Sequence, residues 1–112
     1  MPRITKNRRV CIEPINKVFN PECSSDERII LQVEELESLR LIDFESLDQD
    51  AAAKRMSVSR GTFQRILYAA RHKVAEALVQ GKCLVIEGGN YEISRTRCGQ
   101  DKVCSECKFK DE

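Results

Sequence analysis

Within Gln49–Ile66, QDAAAKRMSVSRGTFQRI, residue types that bind nucleic acid recur at the spacing with which two short-linked helices would present them. Arg60, Gln64 and Arg65 fall at the start of the second helix of that pair. An arginine guanidinium can bond bidentately to guanine O6 and N7, and a glutamine amide can do the same to adenine N6 and N7. The N-terminal end of a recognition helix is the part that reaches base edges, so these three side chains suit reading in a major groove. Lys54, Ser59 and Thr62 suit phosphates, which fix register on a duplex without reading its sequence. Tyr68 and Arg71 lie further along the same helix, within reach of the nucleic-acid backbone.

A second chemistry resides in the cysteines, of which the chain has 6. Cys104 and Cys107 form a CxxC pair, the spacing that seats two thiolates on one tetrahedral metal at a tight turn, and Cys98 supplies a third. Cys11 is the first choice for a fourth ligand, with Cys23 and Cys83 as alternatives. Zinc is the leading metal, and an iron–sulfur cluster, which uses four cysteines equally well, is the second. Free thiols, or a reversible redox pair at Cys104 and Cys107, are the readings without a metal. Cys83 also suits a small core residue on an apolar strand, and His72 suits a solvated or phosphate-facing position.

The elements that must position these residues follow from periodicity and caps. RIILQV, residues 28–33, is rich in apolar and β-branched residues and reads as a short strand or extended lead-in. A helix is predicted over about Glu34–Glu45, where Leu36, Leu39 and Phe44 recur near helical spacing. Its acidic first turn, Glu34, Glu35 and Glu37, suits the positive end of the helix dipole. Asp48 is the predicted N-cap of a second helix ending near Met56. Ala53 lets two helices approach closely, Ser57 and Val58 make the turn, and Ser59 caps a third helix running from Arg60 to Gln80 and stopping at Gly81. Along that helix Phe63, Ile66, Leu67, Ala70, Val74 and Ala77 share one arc, the predicted core stripe. Gly61 reads either as a site of close approach by a partner backbone or as a tolerated surface glycine. Leu84–Glu87 and Tyr91–Ser94 read as two strands of a hairpin about Gly88, Gly89 and Asn90. A lone hairpin is marginal in water, so it should pack on the helices or pair with the N-terminal segment.

The predicted fold is therefore mainly α: a trihelical helix-turn-helix core with a long third helix, a short C-terminal β-hairpin and a cysteine-bearing tail. Its parts are a basic extended segment and lead-in strand over 1–33, the helical domain over 34–81, the hairpin over 82–94 and the tail over 95–112. A chain of 112 residues suits one such unit. No apolar run approaches the roughly 20 residues that span a bilayer, and the basic N-terminus leads into no signal-peptide pattern, so a soluble cytoplasmic protein without a membrane partner is expected. The formal net charge is only +1, yet it is sorted. Residues 1–20 carry +4, residues 21–53 carry −8 and residues 54–82 carry +6. Basic charge thus gathers on the turn and the helix that follows it, and phosphate attraction depends on such a local field.

The segments RRVCIEP, LRLIDFESLDQDAAAKRMSVSRGTFQRILYAARHKVAEAL and GKCLVIEGGNYE resemble the UPF0251 (DUF134) family of small bacterial and archaeal proteins, over nearly the whole chain. The helical block in turn resembles region 4 of sigma factors. The resemblance implies a DNA-binding protein with a sigma region 4-like helix-turn-helix, a transcriptional regulator. No nucleophile elbow, phosphate-binding glycine loop or catalytic carboxylate pair is evident, so no enzymatic activity is expected. Double-stranded DNA is the expected partner, bound by a homodimer on two half-sites through the hairpin edge or the end of the long helix. Two other classes compete: a metal- or redox-responsive sensor working through the cysteine tail, and a protein-interaction module that contacts RNA polymerase or another regulator.

Overall fold

The helices start and stop where capping residues allow, in a computed structural model that describes residues 7–22 and 26–93. Helix α1 (Val33–Leu39) opens without Ser or Thr, because the Glu35 carboxylate reaches back to accept the Gln32 backbone N–H at 2.8 Å. Its end widens into a π-helical turn over Arg40–Phe44, so the predicted helix is a continuous helical segment of two pitches. Helix α2 (Gln49–Met56) is capped by Asp48, whose carboxylate accepts the Ala51 N–H at 2.8 Å. Helix α3 (Arg60–Gln80) opens where the Ser59 hydroxyl accepts the Thr62 N–H at 3.2 Å, and it ends at Gly81 with φ +65°. Between α2 and α3, Ser57 takes the left-handed conformation at φ +59°, and the chain reverses over Ser57–Ser59.

About half of the described residues are helical, so "mainly α" holds only in part; the rest of the framework is five short strands in two sheets. Strand β1 (Arg8–Val10) pairs in parallel with β5 (Tyr91–Ile93), setting Val10 opposite Ile93. In the second sheet, β4 (Cys83–Ile86) lies between β2 (Val18–Phe19), antiparallel to it, and β3 (Arg28–Leu31), parallel to it. Among the described residues the N-terminal third thus supplies three strands, and each pairs with β4 or β5.

The predicted hairpin over 82–94 is corrected by this topology: among the described residues β4 and β5 pair with strands from the N-terminal third, not with each other. The cause is the loop between them. Gly88 and Gly89 take φ +76° and +107°, and the Gly88 carbonyl accepts the Val33 N–H at 3.1 Å while the Asn90 N–H is donated to the Glu34 carboxylate at 2.6 Å. The loop therefore crosses the N-terminus of α1, supplying one of its orphan donors with a partner, and carries β5 into the other sheet.

Two apolar clusters form the core. In the first, Leu41, Ala52, Ala53 and Met56 close on Phe63, Ile66 and Leu67, so the first half of α3 is seated on α2 and the end of α1. In the second, Val10, Leu31, Val33 and Ile86 close on Ala70, with Val74, Leu84, Tyr91 and Ile93 partly buried around them. Leu39 packs against both. The predicted stripe of α3 is buried at Phe63, Ile66, Leu67, Ala70 and Ala77 and partly buried at Val74, so one helix of 21 residues spans both clusters.

Candidate nucleic-acid interface

The α2–α3 pair is held by residues of matched size. Ala53 is 3% exposed, which lets α2 lie close to Phe63, and its carbonyl accepts the Val58 N–H at 3.0 Å to tighten the turn. With the apolar stripe turned inward, Lys54, Ser59, Arg60, Arg65 and Tyr68 are exposed, and Thr62 and Gln64 are half-buried. All belong to the turn, the last turn of α2 or the first half of α3, so the structure brings the predicted set onto one stretch of surface. Arg71 is exposed further along α3, and His72 is solvated, 3.7 Å from Glu76.

Several of these side chains already have protein partners. Arg60 faces Asp50 at 3.5 Å in a well-exposed ion pair, and Arg71 is bound to both carboxylate oxygens of Asp43, at 2.8 and 3.3 Å. The Gln64 amide donates to Gln49 Oε1 at 2.8 Å, and the Thr62 hydroxyl accepts from Arg65 at 3.2 Å. The basic surface is also smaller than the chain segment suggests. Arg55 is 1% exposed, Lys73 reaches Glu35 at 2.7 Å, and Lys82 is held by Glu76 and Glu27 at 2.8 and 3.1 Å. Mutual hydrogen bonding holds the Lys82 ammonium above its usual range and the Glu76 carboxyl below its own. Lys54, Arg60, Arg65 and Arg71 are the exposed cations of this surface, Arg60 and Arg71 within ion pairs.

The acidic first turn of α1 does more than complement a dipole, which sequence reasoning missed. Glu34, Glu35 and Glu37 are all buried. Glu34 pairs with Arg8 of β1 at 3.4 Å and accepts from Asn90; Glu35 holds Gln32 and Lys73; Glu37 accepts the Cys11 N–H at 3.0 Å and holds Arg40 through two bonds of 2.7 and 2.8 Å. Burial pushes the Glu34 carboxyl above its usual range, against the lowering effect of the Asn90 N–H and Arg8. A buried charge is tolerable only with such partners. Three carboxylates of one helix thereby fix β1, the β4–β5 loop and α3, and with α3 the attitude of the candidate surface. The visible signal was the pair of glycines before Asn90: a side chain at Gly89 would strike Glu34.

Of the predicted metal ligands, Cys98, Cys104 and Cys107 lie outside the described residues, as does the alternative Cys23. Cys11 is buried directly after β1, beside the strand that ends at Ile93, and Cys83 is a buried residue at the start of β4. Among the described residues no group of three or more His, Cys, Asp or Glu side chains is arranged to hold a metal ion, and no helix is long and apolar enough to cross a membrane.

Comparison with known proteins bears on this geometry. The family described as "Protein of unknown function DUF134" matches residues 1–94. A UPF0251 protein of Ruminiclostridium cellulolyticum is 45% identical over 108 residues, 96% of this chain and 85% of the relative. A UPF0251 protein of Caldicellulosiruptor bescii is 47% identical over 117 residues, covering 96% and 84% of the two chains. Another, of Caldicellulosiruptor saccharolyticus, is 44% identical over 121 residues, covering 99% and 87%. No solved structure matches.

Proposed function

The chain belongs to the DUF134 family, and on that footing we propose that it is a non-enzymatic, sequence-specific DNA-binding protein acting as a transcriptional regulator. In this reading α2 and α3 are a helix-turn-helix of the sigma region 4 kind, and the first two turns of α3 enter the major groove of double-stranded DNA. One observation carries it: the apolar stripe of α3 is buried against α2 while Arg60, Arg65 and Tyr68, on the same turns, are exposed. A surface helix seated so firmly, with forked donors near its N-terminus, suits base reading. Lys54, Ser59 and Thr62 contact phosphates, and Arg71 does so once it leaves Asp43. Two copies would bind two half-sites, with Leu78 and Val79, 78% and 84% exposed at the end of α3, offering an apolar contact between them.

The test is selection of bound sequences from random duplex DNA, followed by titration of the selected duplex at several salt concentrations. Arg60→Glu with Arg65→Glu should weaken binding by orders of magnitude and flatten its dependence on salt. If the double charge reversal changes neither, α3 is not the reading helix, and a contact with RNA polymerase or another regulator becomes the better account of this surface.

A second reading, regulation by metal or redox state, has its own observation: β1 and β5 run in parallel, so buried Cys11 lies at the end of the sheet from which the chain continues toward Cys98, Cys104 and Cys107. Zinc is the first candidate for that set and an iron–sulfur cluster the second. Metal content of the purified protein, its loss in Cys11→Ser and Cys104→Ser, and DNA affinity before and after chelation decide whether the tail acts on the reading surface.

A further inference from the structure

We propose that Gln49 is a positioning residue that makes Gln64 select adenine; the proposal rests on the DNA reading of α3. Gln49 is the first residue of α2 and Gln64 lies in the second turn of α3, and their side chains meet across the α2–α3 junction, Gln64 Nε2 donating to Gln49 Oε1 at 2.8 Å. Both residues are half-buried, so this bond forms at the edge of the packed junction.

A primary amide has two N–H donors and an oxygen with two lone pairs. The bond to Gln49 uses one donor of Gln64 and leaves it one donor and its whole acceptor capacity. That remainder matches adenine, which offers an acceptor at N7 and a donor at N6 in the major groove. Guanine presents acceptors at both N7 and O6, and a clamped Gln64 has only one donor for the two. The clamp therefore discriminates by subtraction. It also restricts a flexible side chain before binding, so less freedom is lost when the base is met.

Three substitutions in the full chain test it. Gln49→Ala removes the clamp, and the preference for an A·T pair at one position of the selected duplex should fall about tenfold, within what a single bidentate base contact supports. Gln49→Glu keeps an acceptor for Gln64 Nε2 and adds a negative charge to the surface. It should retain the base preference and bind all duplexes more weakly, with an altered salt dependence. Gln64→Ala should lose the preference at the same position as Gln49→Ala. Unfolding midpoints equal to that of the unsubstituted protein show that the effects are not losses of fold. The proposal is overturned if Gln49→Ala keeps the original preference at every position, or if Gln49→Glu loses it as fully as Gln49→Ala does. Selective binding by the unsubstituted protein with either of those results sinks the clamp alone. Absence of any duplex binding sinks the clamp together with the DNA reading.

Discussion

Substitution of Gly89 by alanine is the sharpest test of the buried-carboxylate arrangement. Gly89 has φ +107°, a conformation L side chains rarely adopt, and a Cβ built there would collide with Glu34 Oε1. Backbone strain of this kind costs roughly 1–3 kcal/mol. Displacing the Glu34 carboxylate also weakens its bond from the Asn90 N–H, and hydrogen bonds to charged groups contribute about 1.5–3 kcal/mol. Gly89→Ala should therefore lower stability by about 3–5 kcal/mol, a large part of the 5–15 kcal/mol typical of a domain. Gly88 supplies the internal control. Its φ is +76° and a Cβ would meet nothing within 4 Å, so Gly88→Ala should cost only the strain, about 1–2 kcal/mol. Urea unfolding of both variants, repeated in a Glu34→Ala background, completes a double-mutant cycle. With Glu34 cut back the collision with its carboxylate disappears and only the 3.2 Å approach to Gln32 Cβ remains, so Gly89→Ala should then cost little more than Gly88→Ala, giving a coupling of about 1.5–3 kcal/mol. Equal effects of the two glycine substitutions in the unsubstituted protein, or strict additivity with Glu34→Ala, would refute the reasoning.

The remaining predictions concern charge and backbone. Because burial raises the Glu34 pKa above 4.5, the folded state holds more proton than the unfolded chain between that value and the raised one. The contribution of Glu34 to stability should thus decline as pH rises through this window and level off above it, and Glu34→Gln should remove that component from a series of unfolding curves against pH. Asp50→Asn releases Arg60 from an exposed ion pair and should change stability by less than about 1 kcal/mol while raising affinity for duplex DNA several-fold at low salt, read by fluorescence anisotropy. Gly61→Ala meets no neighbour in the first turn of α3 and should stabilise the fold by about 0.5–1 kcal/mol in the same unfolding assay. A simultaneous drop in DNA affinity would mark Gly61 as a point of close backbone approach.

The helical part of this fold was legible because its instructions are local. Asp48, Ser59 and Gly81 each act within four residues of the helix end they define, and the stripe from Phe63 to Ala77 is written in a single period. Strand partners were not legible, since two strands beside a glycine-rich loop look alike whether they pair with each other or with segments 55 or more residues away; the decision rests on Glu34 and Val33 drawing the loop over α1. Glu34, Glu35 and Glu37 misled for a related reason. An acidic first turn is ordinarily solvated, and the partners that make burial tolerable, Arg8, Lys73 and Asn90, are remote in the chain. The basic cluster was read correctly as a composition but too generously as a surface, because Arg55 is turned inward and Lys73 and Lys82 are engaged elsewhere. Sequence reasoning named Gln64, Arg60 and Arg71 as candidates but not the partners Gln49, Asp50 and Asp43 that hold them.

The two parallel pairings, β1 with β5 and β3 with β4, set a schedule for the newborn chain. Contacts among α1, α2 and α3 need no residue beyond Gln80. Neither sheet can close until residues 83–93 have left the exit tunnel, and closing so long a loop is a slow, late event. Until then Glu34 lacks Asn90 and the apolar faces of β3 and α3 lack β4. The sheets therefore close last, and only then do Glu34 and the apolar faces of β3 and α3 have their full set of partners.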